Sequence, residues 1–295
     1  MDTDLSPNYY RDVSVEQAVN DSRASIEYIR GIDPEGAIVR PIVTPRFAPS
    51  CSTSCLSSLG RLASETDSFV QTHISENTSE IELVQSLFPD SKSYADVYAT
   101  TGLLTPRTIL AHAVHLKDHE IELIKERGAK ISHCPASNTA LTSGCAPIRS
   151  LLSAGLTIGL GTDVSGGFSP SILEECRQAI WVSRFLAMSG SSSAKLSTEE
   201  VLYLATRGGA AVVGLSDKIG GFDVGFEFDA QMIRLGKVKE EGEKDGAFVA
   251  GPVDIFGSES TDERVQKWVY AGDDRNTAAV WVRGRLVHST GRYVK

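Results

Sequence analysis

The stretch "FVQTHISENTSE", residues 69–80, places His73 and Glu76 three positions apart at the end of an apolar run. Imidazole is a metal ligand and titrates near neutral pH, and a carboxylate one turn away is placed to shuttle protons. Three further residues of these types end apolar runs downstream: His112 in "TILAHA", His133 in "AKISHCP" and Asp163 in "LTIGLGTD". Imidazole and carboxylate suit zinc, and a catalytic zinc site keeps one position open for water, whose pKa falls from about 15.7 to near 7. Each residue alone has a plainer interpretation. A strand-end histidine is most often structural, Asp163 could cap the following loop, and Glu76 could be the acidic first turn of the helix "NTSEIELV". The coincidence of three histidines out of six with an aspartate, all at equivalent positions, points to a shared site. His115, His119 and His288 fall on or before a helix or in the tail, and are expected at the surface.

The elements that must position these residues alternate. Short runs rich in Val, Ile and Leu, at 37–45, 69–74, 108–113, 129–135 and 156–163, are separated by amphipathic segments such as "LKDHEIELIKERG", where Gly128 is a plausible stop. Strand and helix in repeated alternation predict an α/β parallel sheet, with polar residues converging at the strands' C-terminal ends. The segment "STEEVLYLATRGGAAVVGL" opens with a capping box, Ser197 and Glu200. After residue 220 the pattern changes. "DVGFEFDAQMIRL" and "AAVWVRGRLVHST" each read as a strand, separated by a charged, Gly-rich loop, "GKVKEEGEKDGAFVAG". Two units are expected: residues 1–220 as the α/β body and 221–295 as a small β element with a helix or loop packed on it.

Composition sets the bounds. The 295 residues are 41 % hydrophobic and 23 % charged, with a formal net charge of -9, so no basic surface argues for nucleic acid or anionic lipid. No run approaches the roughly 20 apolar residues of a membrane span. Five scattered cysteines fit reduced thiols of a cytoplasmic protein better than a disulfide framework. "CSTSC" hints at a metal clip, but no second pair completes the ligand set.

Taken together, "RPIVTPRFAPSCS", "THISEN", "LAHAVHL", "SHCPASN", "GLGTDVSGG" and "YAGDDRN" resemble the guanine deaminase family of the amidohydrolase superfamily, from about residue 35 to the end. The resemblance implies strands four to eight of a (β/α)8 TIM-type barrel, and zinc-dependent hydrolytic deamination of guanine to xanthine and ammonia. It implies His73 and Asp163 as zinc ligands, with one ion per subunit. His112 lies beside the metal and Glu76 is the proton shuttle. Arg46 and Phe47 hold the purine alongside His73, Glu76 and Asp163. A homodimer is also implied. Arg46 offers a planar fork of donors to the purine's carbonyl and ring nitrogens, and Phe47 offers a stacking face.

One departure stands out. The family's first strand carries a His-x-His pair that supplies two zinc ligands, and no His-x-His occurs in this chain. The opening "MDTDLSPNYYRD" resembles an internal part of the family's sequence. The implied form is therefore N-terminally truncated, either inactive or a fragment of a longer enzyme, since two ligands rarely hold a catalytic metal. The alternatives are a non-catalytic binding or scaffold protein on the same body, or another deaminase of the superfamily acting on cytosine, adenosine-type or triazine substrates.

Overall fold

The computed structural model describes residues 1–236 and 252–290. Five parallel strands stand side by side in chain order: β1 (Ile42–Val43), β2 (Phe69–Ile74), β3 (Thr108–His112), β4 (Lys130–His133) and β5 (Ile158–Leu160). Between them run α2 (Thr53–Glu65), α3 (Thr78–Leu87), α4 (Tyr94–Thr100), α5 (Asp118–Arg127), α6 (Pro135–Ala140) and α7 (Ile148–Ser153). This is the expected α/β arrangement, a run of βα units forming part of a TIM-type barrel.

Along β2, Val70, Thr72 and Ile74 are buried while Phe69, Gln71 and His73 are not, the period of two of a pleated strand. The buried side, with Leu110, Ile131 and Ile158, packs in one core with Leu56, Leu59 and Leu62 of α2, Ile124 of α5 and Leu151 of α7. The opposite side carries Gln71, Ile109, Ser132 and Gly159 into an open cavity of about 560 Å³. Local chemistry sets the helix ends. Gly128 takes the left-handed conformation (φ 68°) that ends α5, and Ser197 with Glu200 forms the foreseen capping box of α9 (Thr198–Tyr203).

Several elements differ from expectation. The run at 37–45 contributes only the two residues of β1, and "DVGFEFDAQMIRL" only β6 (Ala230–Ile233). "AAVWVRGRLVHST" is a hairpin, β7 (Thr277–Val282) and β8 (Arg285–Ser289), rather than one strand. Arg283 and Gly284 both have positive φ, 53° and 75°, the signature of a tight two-residue turn that alternating hydrophobicity does not reveal. Strands β6, β7 and β8 form a separate antiparallel sheet. Helix α1 (Val15–Ile32), α4 and α6 were not foreseen. In α1 only Ala18 and Ile26 are buried, so its apolar stripe is too thin to stand out. The long α8 (Ile172–Met188) follows β5, and α10 (Gly209–Val212) follows α9. Arg177 of α8 donates to the carbonyls of Val269 (3.0 Å) and Gly272 (2.7 Å), holding α11 (Thr261–Ala271). Beyond Gly236, the charged loop foreseen at 236–251 lies outside the described residues. Among the described residues, no helix is long and apolar enough to cross a membrane.

One buried hydroxyl ties β2 to the turn before α2. Tyr98 is fully buried, and its hydroxyl donates to the His73 carbonyl at 2.7 Å. It also accepts from the Ala48 amide at 3.0 Å and the Thr72 hydroxyl at 2.9 Å. Tyr98→Phe leaves these groups sealed without that partner, at a cost of about 1–3 kcal/mol. Urea unfolding is expected to show a lower midpoint at unchanged slope. An unchanged midpoint would mean that these bonds contribute nothing net.

Candidate metal centre

His73 sits one residue before the end of β2, and its backbone amide donates to the Arg46 carbonyl at 3.1 Å. Its ring Nδ1 reaches the same oxygen at 2.6 Å. A carbonyl only accepts, so Nδ1 carries the proton and Nε2 is left with a bare lone pair. Burial, followed by the charge of neighbouring His112, pushes the His73 pKa below its usual value and favours that neutral ring. His112 ends β3, one strand over, in register with Ile74. Its Nδ1 donates to Asn138 Oδ1 at 2.9 Å, while its Nε2 is sealed from solvent with no hydrogen-bond partner. The two rings lie 4.9 Å apart between centroids, tilted by 32°.

Asp163 lies three residues beyond β5, with Oδ2 accepting from the Ser137 hydroxyl at 2.7 Å. One ligand atom from each of His73, His112 and Asp163 lies within 4.8 Å of the others. Glu76 faces this group: its Oε2 is 3.9 Å from His112 Nε2, and its Oε1 accepts from the Ser143 hydroxyl at 3.0 Å. The Arg46 guanidinium carbon lies 5.8 Å from the Phe47 ring centroid, and that ring lies 6.4 Å from His73. A cavity of about 700 Å³ opens here, lined by Thr44, Arg46, His73 and Asp163 with Tyr9 and Tyr10. The backbone is strained at the same place. Ser75, His112, Ala113 and Asp163 have φ between 47° and 71°, and they are four of the seven non-glycine residues with positive φ among the described residues. Such conformations cost about 1–3 kcal/mol each and cluster at functional sites.

These donors fit a transition metal of the zinc type. An unpartnered buried Nε2, a second bare Nε2 and a carboxylate make a two-imidazole, one-carboxylate set, and three protein ligands is the number that catalytic zinc sites use.

The expected convergence of four strand-end residues needs correction, because the group holds three. His133 is fully buried in β4 with both ring nitrogens unpartnered, and burial lowers its pKa to about 3. His115, expected at the surface, is half-buried, and its Nε2 donates to the Ser143 carbonyl at 2.7 Å. His119 and His288 are exposed.

Sequence reasoning missed the supports. Ser137 and Asn138 lie on α6, and Ser143 lies in the loop after it. Glu175 of α8 is fully buried, and its Oε2 accepts from the Ala136 amide at 3.1 Å. Burial raises its carboxyl to about 7. The only advance signal is the cluster of small polar residues in "SHCPASNTALTS", directly after a strand-end histidine.

The amidohydrolase family model matches residues 4–287. Over 284 residues the chain is 50 % identical to a probable guanine deaminase of Schizosaccharomyces pombe, covering 96 % of this chain and 52 % of that protein. It is 41 % identical over 282 residues to the guanine deaminase of Dictyostelium discoideum, covering 96 % and 60 %. The chain thus spans little more than half the length of these curated relatives. Among solved structures, the guanine deaminase of E. coli superposes with a TM-score of 0.84 at 31 % identity, covering 98 % of this chain and 63 % of that one. The guanine deaminase of C. acetobutylicum with bound guanine gives 0.83 at 34 %, covering 98 % and 64 %.

Ring tautomers report the geometry of the centre directly. Long-range 15N–1H spectra at neutral pH are expected to show Nδ1–H tautomers for His73 and His112. Asn138→Ala should turn the His112 signals into a tautomer mixture and leave those of His73 in place. An Nε2–H tautomer at either residue in the unsubstituted chain contradicts the assigned hydrogen bonds.

Proposed function

The chain belongs to the amidohydrolase family, and on that premise we propose that its site carries out the hydrolytic deamination of guanine to xanthine and ammonia. The observation that carries the proposal is the meeting of His73, His112 and Asp163 ligand atoms within 4.8 Å, with Glu76 against them. Similarity to guanine deaminases along 96 % of the chain supports the choice of substrate.

His73 and Asp163 would hold one zinc ion, with His112 as the third donor or beside it. When bound, the metal supplies Lewis acidity and a hydroxide nucleophile at neutral pH. The remaining work falls to the chain's own groups. Arg46 donates its guanidinium fork to the purine's carbonyl oxygen and ring nitrogen, and Phe47 stacks on the ring. Asp163, with Oδ2 fixed by Ser137, keeps Oδ1 free to accept the proton of the attacking water. Glu76, oriented by Ser143 through Oε1, uses Oε2 to protonate the ring nitrogen adjacent to carbon 2. The proton held by Asp163 leaves with the amine as ammonia, and the hydroxyl formed at carbon 2 returns its proton to Glu76 as the carbonyl forms, so water and guanine are consumed and xanthine and ammonia formed. A cytoplasmic setting and a homodimer belong to the same proposal.

A second reading is a purine-binding protein without turnover. The observation in its favour is the cavity of about 700 Å³ lined by Arg46 and His73, which gives a purine room whether or not a metal is held. His112, placed to add a third donor to the two that the resemblance assigned, favours turnover over binding alone.

The test is xanthine and ammonia formation by the 295-residue chain with zinc and guanine, with adenine and cytosine as controls. Glu76→Gln is expected to lower the rate about 10²–10⁴-fold while guanine still binds. Guanine binding without ammonia would favour the second reading, and failure to bind guanine would sink both.

A further inference from the structure

A second group of metal-capable side chains lies outside this machinery. Cys51 follows a short 3-10 turn, Ala48–Ser50, and Cys55 lies in the first turn of α2; both are free thiols and fully buried. Asp2 reaches them from the N-terminal segment. One sulfur from each cysteine and one Asp2 carboxylate oxygen lie within 4.8 Å of one another.

The placement is built rather than incidental. Asp2 Oδ1 accepts from the Ser52 amide at 2.8 Å and Oδ2 from the Ser52 hydroxyl at 2.6 Å, so the carboxylate is anchored to the residue that caps α2. Its own amide donates to the Ser50 carbonyl at 3.0 Å, and the Thr3 hydroxyl donates to Pro49 at 2.8 Å. Each carboxylate oxygen keeps a further lone pair for a ligand. The bland alternative is that buried cysteines act as small hydrophobes. That accounts for the two thiols but not for the meeting of a sulfur from each with an anchored carboxylate oxygen, which is a donor set that a cation can join. The Met1 ammonium nearby is engaged by Asp12.

We propose that Cys51, Cys55 and Asp2 form a binding site for a soft divalent cation of the zinc or cadmium class, with a two-sulfur, one-oxygen donor set and a fourth position open. Zinc bonds of about 2.3 Å to sulfur and 2.0–2.2 Å to oxygen place neighbouring tetrahedral donors roughly 3.5–3.8 Å apart, so the group closes on an ion with shifts of about 1 Å. Sulfur donors distinguish this site from the imidazole and carboxylate centre at His73, since thiolates select softer ions. A cation here fastens the N-terminal segment to the start of α2. That segment supplies Tyr9 and Tyr10 to the cavity containing Arg46 and His73, so the bound ion stiffens one wall of it.

Cadmium titration of the reduced, untagged full chain tests the site through the ultraviolet sulfur-to-cadmium charge-transfer band. One equivalent is expected to bind with the band of a two-thiolate site, equally in His73→Ala. Cys51→Ser/Cys55→Ser should abolish the band, and Asp2→Asn should keep it while weakening binding about tenfold. Circular dichroism checks the fold of each variant. Asp2→Asn replaces a half-buried residue, so it keeps the test decisive if the cysteine variant unfolds. No band in the unsubstituted chain, a band that survives the double substitution, or an unchanged affinity in Asp2→Asn would each overturn the proposal.

Discussion

A polar nitrogen sealed from water without a partner costs about 1–3 kcal/mol, and in the folded chain His112 Nε2 is held in that condition. Turning the ring over would put carbons where Nδ1 and Nε2 stand and break the bond to Asn138, so the orphan is fixed from behind. His73 is fixed in the same way by the Arg46 carbonyl, which binds both its backbone amide and its ring. The result is two imidazoles presenting lone pairs to a common space that a carboxylate also faces. Relieving the cost from outside, by a cation that takes those lone pairs, is what such an arrangement is suited to.

That arrangement rests on a strained backbone, so something else must offset it. Four residues with positive φ around the centre cost together about 4–12 kcal/mol, at about 1–3 kcal/mol each. A fully buried Leu or Ile contributes about 1.5–3 kcal/mol, and Leu110, Ile131, Ile158, Leu56, Leu62 and Leu151 are all buried against the sheet. Six such side chains are of the size needed. The sheet's buried face thus carries the stability, and the strand ends can depart from relaxed geometry where β2, β3 and the turn after β5 approach one another.

This division of labour explains what the sequence disclosed. The buried face writes itself as apolar runs, so β2 and β3 were legible almost to the residue, and the polar residues ending the runs at β2, β3 and β5 marked His73, His112 and Asp163. Where burial is thin the signal fails: α1 buries Ala18 and Ile26 alone, and the turn at Arg283 and Gly284 lies inside an unbroken alternation. His133 misled because a strand-end position says which residue it is, not which way its side chain points. It is buried alongside Ile131, with neither ring nitrogen in the group. The supporting contacts were illegible for another reason. Asn138 to His112 and Ser137 to Asp163 each span 26 residues, and Ser143 to Glu76 spans 67, so no local pattern could encode them.

Those supports converge on one short helix, and this has a mechanical consequence. Ser137 and Asn138 are successive residues of α6, pointing about 100° apart around its axis. The first therefore reaches the turn after β5 and the second the end of β3. Six residues cannot hold a helix by propensity alone, so α6 depends on its surroundings: Pro135 presets its first turn, and buried Glu175 accepts from the Ala136 amide. Any shift of α6 moves the supports of Asp163 and His112 together, whereas His73 is held independently by Arg46. The centre thus has two supports, α6 for Asp163 and His112 and the Arg46 carbonyl after β1 for His73. Its dimensions follow from how α8, through Glu175, seats the small helix against the sheet.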